Sequence, residues 1–133
     1  SSKLFKNTLK LIKELEKEKF KIALATSSKK EETIKILKKA KLSKSFNAIT
    51  TWENVKKRKP NPEVYLITAK KLKVNPKDCL VIEDSEVGVS SAKKAGMKCI
   101  ALLHKYNKNQ DLSKADLIIK SSKKIDLTSL KNL

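Results

Sequence analysis

The apolar run Cys79-Leu80-Val81-Ile82 ends in two adjacent carboxylates, Glu83 and Asp84, and Ser85-Glu86-Val87-Gly88 follows at once as a helix-like start. This junction of buried strand, acid pair and helix constrains the chain more than any other feature. Adjacent acids at a strand tip repel one another and lose hydration, so packing alone gives no reason to place them there. A hard divalent cation does, because Mg²⁺ takes carboxylate oxygens and keeps its remaining positions for water and phosphate oxygens. The plainer alternative is that Asp84 and Ser85 only cap the next helix, and an isolated Asp-Ser is read that way.

The rest of the chain alternates strand-like and helix-like segments. Leu4, Phe5, Leu9, Leu11, Ile12 and Leu15 recur at helical spacing and predict an amphipathic helix over residues 3–18. A short buried strand over 20–25 ends at Thr26-Ser27-Ser28. Ser28 and Glu31 have capping-box spacing, predicting a helix to about Lys39 with Ile34, Leu37 and Ala40 inward. A weak strand over 46–50 comes next. Asn61-Pro62 reads as an N-cap with proline at the first helical position, opening a helix to about Lys71 whose apolar face holds Val64, Ile67 or Tyr65, Ala69 and Leu72. Strand 79–82, helix 86–95, a left-handed stop at Gly96, and strands 97–103 and 117–119 complete the series. Residues 121–133 are a poorly defined tail, expected to end in a frayed helix. The alternation argues for a single α/β layered domain with a mostly parallel sheet.

Charge narrows the functional classes. The 133 residues carry a net charge of +18, which invites a nucleic-acid reading. Three observations oppose it. The lysines run along the whole chain, Arg58 is the only arginine although guanidinium is the preferred bidentate group, and the aromatics Phe5, Phe20, Phe46, Trp52, Tyr65 and Tyr106 fall mostly at core-type positions. No nucleic-acid partner is expected, although a positive surface would steer small anions. No apolar run approaches the roughly 20 residues that cross a bilayer, and no signal-peptide pattern opens the chain, so no membrane partner is expected. Cys79 and Cys99 lie in strand-like runs outside metal-ligand spacing; read as buried free thiols, they fit a reducing cytoplasm.

Two further segments bear on the acid pair. Thr26 follows the first strand and offers a hydroxyl and helix-start amides, groups that suit a phosphate, although a simple cap is the plainer reading. In Lys59-Pro60-Asn61-Pro62, each proline biases the residue before it toward extended backbone, setting Lys59 on a stiff ledge before a helix. A fixed ammonium there can neutralise a phosphoryl oxygen and a neighbouring carboxylate.

In order, Ala-Thr-Ser-Ser, Lys-Pro-Asn-Pro and Val-Ile-Glu-Asp-Ser-Glu-Val-Gly-Val resemble the haloacid dehalogenase-like hydrolase superfamily, and with the later Ala-Gly-Met most resemble its β-phosphoglucomutase and phosphoglycolate phosphatase branch. The resemblance extends to about Ile119. It implies a Rossmann-like three-layer α/β/α fold and assigns roles. Thr26 and the Ser27 amide would bind the phosphoryl group, Lys59 would pair with phosphate and nucleophile, and Glu83 and Asp84 would hold Mg²⁺, Asp84 more directly. Gly88 would sit where a side chain obstructs close packing.

The same resemblance exposes what the chain lacks. The family attacks phosphorus with an aspartate, forming an aspartyl-phosphate, and uses a second aspartate two residues on as acid/base. Asp78, Asp84, Asp111, Asp116 and Asp126 are too far apart for that pattern. The nucleophile strand, central in the family's sheet, is missing, and so is the substrate-selecting cap. Residues 1–133 are therefore expected to be a partial core whose central strand comes from the rest of a longer protein or from another chain. That parent is expected to be a Mg²⁺-dependent phosphohydrolase of small phosphorylated metabolites. A phosphomutase is one alternative; an inactive or basic partner-binding domain is another. The piece alone is expected to be inactive. His104 is expected to be an exposed loop residue, and Trp52 to pack in the loop before Lys59.

Overall fold

The computed structural model describes residues 2–121, 123, 125, 127–131 and 133, with side chains from residue 7 onward, those of 128 and 129 apart. Among the described residues, five α-helices and five strands come in the expected order, β4 and β5 following one another without a helix between: α1 (Ser2–Lys17), β1 (Ala23–Ala25), α2 (Lys30–Lys39), β2 (Ala48–Thr50), α3 (Glu63–Leu72), β3 (Leu80–Glu83), α4 (Glu86–Lys94), β4 (Lys98–Leu103), β5 (Leu117–Lys120) and α5 (Leu127–Lys131). Every pairing is parallel, as the alternation demands, because each return needs a crossover. The fold is α/β and Rossmann-like.

The strands form two separate ladders, β1–β2 and β3–β4–β5. Ile22 O and Thr26 N bond toward the β2 side, so with a period of two Ala23 and Ala25 turn their peptide groups the other way. Cys79 O accepts from Lys98 N, so Leu80 and Ile82 likewise face away from β4. The two outward edges border one cavity of about 750 Å³, lined by Ala23, Ala25, Leu80 and Ile82 among others. α3 spans the interval: it packs on β1 and β2, touches α4, and its Thr68 hydroxyl donates to Val64 O at 2.6 Å and accepts from Thr50 Oγ1 at 2.8 Å.

Two apolar clusters serve the two ladders. Tyr65 and Ala69 of α3, Val89 and Ala92 of α4, Val81, Cys99 and Ala101 form the larger. Ile12, Ile22, Leu37 and Leu42 form the smaller. At Gly96 (φ 79°) the left-handed stop forms as expected. Ser85 caps α4 by accepting from Gly88 N at 3.0 Å.

Some local expectations give way to tertiary contacts. The capping box of Ser28 does not form; α2 opens two residues later, and Glu53 from a distant loop accepts from Lys30 N at 2.9 Å. The inward face of α2 is Thr33 and Leu37, leaving Ile34 exposed, because the Thr33 hydroxyl is satisfied by Lys29 O. Phe20, Trp52 and Tyr106 are exposed rather than core, and Phe5 lies outside the described side chains. Both cysteines are free; Cys99 is buried and its thiol is pushed up to about 12 by desolvation, while Cys79 is half-buried.

Three lysines, Lys19, Lys41 and Lys73, hold the left-handed conformation just past helix ends, where glycine is preferred. A side chain there costs about 1–2 kcal/mol, and glycine returns part of that gain through its freer unfolded state. Lys73→Gly is expected to raise stability by about 0.5–1 kcal/mol in denaturant titration. A second expectation concerns pH. The Asp116 carboxylate accepts from Lys93 Nζ at 2.8 Å and from Cys99 N at 2.7 Å, and these bonds, the lysine first, hold it below the ordinary aspartate range. A depressed carboxylate stabilises the fold above its unfolded pKa, and that stability is lost as pH falls through the folded value. Asp116→Asn should flatten the acid limb of stability measured between about pH 5 and pH 2.

Candidate functional site

Thr26, Ser27, Lys59 and Glu83 all line the cavity between the two strand edges, at the carboxyl ends of β1 and β3. Parallel sheets bind ligands beyond that end, because helix starts and short loops converge there. The chain thus brings together four of the residues singled out from sequence, and Asp84 adjoins them as the next residue after β3.

Lys59 is set by its neighbours. Arg58 stacks its guanidinium 3.3 Å from the Trp52 ring centroid and donates to Trp52 O at 2.5 Å, which fixes the loop before the ledge. Trp52 therefore packs where expected. Glu63 accepts from Lys56 N and Lys57 N, and these two amides, Lys56 first, hold its carboxyl below the usual range. On the far side, Asn61 accepts from Glu63 N at 3.0 Å, and Ser91 of α4 donates to Asn61 O at 2.6 Å. The Lys59–Pro60 peptide is cis.

From this ledge Lys59 Nζ reaches Glu83 Oε2 at 3.1 Å, with the two side chains only 14% and 11% exposed. The same oxygen accepts from Tyr65 Oη at 2.5 Å, and Glu83 Oε1 accepts from Asp84 N at 3.1 Å. Both oxygens of Glu83 are thereby engaged. The Tyr65 phenol, desolvated and facing this carboxylate, stays protonated far above its ordinary range. Tyr65 entered the sequence reading only as a helix-face residue; its position in α3, one turn past the ledge, was the signal.

Asp84 behaves differently. Its side chain is 51% exposed, and one oxygen, Oδ2, meets His104 Nε2 at 3.0 Å. His104 is thus no exposed loop residue: its ring is 15% exposed and belongs to the site. Its place at the end of β4, the carboxyl edge again, was the available clue. Asn107, buried and unremarked in the sequence, donates to Asp84 O at 2.7 Å.

Thr26 Oγ1 accepts from Ser28 N at 3.0 Å, so its hydroxyl hydrogen remains to donate to a ligand. Gly88 explains itself geometrically. A Cβ there would stand 2.0 Å from Glu83 Cδ, so the carboxylate lies across the open face of α4.

Among the described residues no cluster of three His, Cys, Asp or Glu side chains forms a metal cage. Mg²⁺ does not require one, since it is commonly held by one or two carboxylates with water and substrate phosphate. The half-exposed Asp84 carboxylate, next in sequence to the cavity-lining Glu83, fits that pattern.

The haloacid dehalogenase-like hydrolase family model matches residues 1–102, and the chain belongs to this family. It is 35% identical over 121 residues to β-phosphoglucomutase of Bacillus subtilis, covering 91% of this chain and 51% of that protein. It is 37% identical over 101 residues to a phosphorylated carbohydrates phosphatase of Thermotoga maritima, covering 75% and 47%. Among solved structures, β-phosphoglucomutase of Clostridium difficile superposes with a TM-score of 0.83 at 28% identity over 95% of this chain and 54% of that one. The chain spans about half the length of the curated relatives it matches. Those relatives are phosphatases and phosphomutases.

Because a Cβ at position 88 must displace Glu83, Gly88→Ala is expected to destabilise the protein by about 1–3 kcal/mol, read as a lowered thermal midpoint.

Proposed function

We propose that the protein carrying this chain is a cytoplasmic, Mg²⁺-dependent phosphohydrolase of small phosphorylated metabolites, phosphorylated sugars foremost. The observation that supports it best is the Lys59–Glu83 pair, nearly dry, at the lip of a cavity that Thr26 also lines. A hydrolase of this family needs a fixed positive charge and a hydroxyl donor converging on one point, and these residues supply both.

The cavity between β1 and β3 is the place for an extended strand from the rest of the protein or from another chain. The peptide groups of Ala23, Ala25, Leu80 and Ile82 would complete its ladder on both sides. That strand would carry the nucleophilic aspartate and the acid/base aspartate two residues on, and a cap would close over the phosphate. Residues 1–133 would then be one partial core domain and by themselves inactive.

In this reading the nucleophile's oxygen forms a bond to phosphorus as the bond to the substrate's alcohol oxygen breaks in line. The second aspartate protonates that departing oxygen, and water then cleaves the aspartyl-phosphate to release phosphate. Lys59 Nζ gives one hydrogen to Glu83, which leaves two for the nucleophile and a phosphoryl oxygen. The Thr26 hydroxyl and the Ser27 amide hold further phosphoryl oxygens. Asp84 is the carboxylate that would bind Mg²⁺, with Glu83 beside it and turned toward Lys59. The ion, when bound, supplies charge stabilisation to the phosphoryl oxygens.

A phosphomutase is the second reading, favoured by the similarity to β-phosphoglucomutase over 91% of the chain. A hexose 1-phosphate would separate the two: a hydrolase releases inorganic phosphate, whereas a mutase accumulates the 6-phosphate.

With the full-length protein and an aryl phosphate, Asp84→Asn and Lys59→Ala should each lower Mg²⁺-dependent hydrolysis by about 100-fold or more. Full activity in both variants would sink the assignment.

A further inference from the structure

The loop after β4 folds back on the 84–86 segment through a set of hydrogen bonds that the catalytic reading leaves unused. Asn107 is 2% exposed. Its amide nitrogen donates to Asp84 O at 2.7 Å and to Leu102 O at 2.8 Å, while its Oδ1 accepts from His104 N at 2.8 Å. One buried amide therefore joins the tip of β3 to the tip of β4. Next to it, Tyr106 N donates to His104 Nδ1 at 3.1 Å. A backbone amide only donates, so Nδ1 is the bare nitrogen and Nε2 carries the proton that goes to Asp84 Oδ2. Further along, Gln110 Oε1 accepts from Glu86 N at 2.8 Å, and Glu86 Oε1 accepts from Asp111 N at 3.0 Å.

The geometry points to Asn107 and His104 as positioning residues for Asp84. Asn107 fixes the backbone of Asp84, and His104 occupies one carboxylate oxygen so that Oδ1 is the oxygen presented outward. This rests on the proposal that Asp84 binds Mg²⁺. A loop that merely needed closing could satisfy Asn107 with Leu102 O and His104 N alone. The third bond, to Asp84 O, and the parallel contact of the ring to the same residue's carboxylate are what a ligand-orienting shell requires. Outer-shell donors of this kind set the orientation of a metal ligand, and their loss characteristically weakens metal binding by about 10–100-fold.

The test is Mg²⁺ titration calorimetry on the full-length protein, with kinetics at saturating Mg²⁺ alongside. Asn107→Asp replaces the two N–H donors by an acceptor facing two carbonyls, and His104→Leu removes the contact to Oδ2. Each should weaken Mg²⁺ binding by about 10–100-fold, with the substrate KM unchanged once Mg²⁺ saturates. His104→Gln, which can place an N–H near Oδ2, should recover most of the affinity. Should Asn107→Asp fail to fold, the two His104 variants decide. Affinity within twofold of the parent in Asn107→Asp and His104→Leu, with Asp84→Asn losing Mg²⁺, would overturn the positioning role and leave the site assignment standing. Leucine and glutamine at 104 binding equally weakly would also overturn it. Unchanged Mg²⁺ affinity in Asp84→Asn would overturn the site assignment itself.

Discussion

The Glu83 carboxylate sits where three parts of the chain must agree. It ends β3, receives Lys59 from the Pro-rich ledge and Tyr65 from α3, and lies over Gly88 at the start of α4. A carboxylate this dry is tolerable only while its donors stay in place, since removing one partner of a buried pair typically costs about 3–5 kcal/mol. That requirement couples the lysine loop, α3 and α4 to the strand tip. It also settles a division of labour between adjacent acids: Glu83 holds the positive charge, and Asp84 is left half-exposed beside it with one oxygen tied to His104.

Around this centre the sheet is open. Two parallel ladders face each other across about 750 Å³, with strand edges on both sides and α3 joining them from one face. An unpaired edge inside a domain leaves peptide groups without partners, a state proteins otherwise cover or close. Thr26, Ser27 and Lys59 line that same opening, at its carboxyl rim.

Much of this was legible beforehand because it is local or strongly periodic. The order of helices and strands, the parallel sheet, the Ser85 cap, the Gly96 stop and the Thr26, Lys59 and Glu83–Asp84 stations follow from hydrophobic period, turn chemistry and motif order. Other features were not. Glu53, 23 residues away, accepts from the first amide of α2 in place of Ser28, and Thr33 takes the inward place expected of Ile34. Asn107 lies in an unpatterned loop, and His104, although it follows the end of β4, has no sequence neighbour that ties it to Asp84.

The sequence by itself determined an acid pair at a strand tip and, separately, a lysine on a proline-stiffened ledge, because strand period, proline and helix-start chemistry act over a few residues. Only the tertiary structure decided which acid faces which partner. That choice depends on Tyr65, Gly88, His104 and Asn107 arriving from other elements, and long-range packing, which fixes where those side chains meet, leaves no periodic trace in the chain.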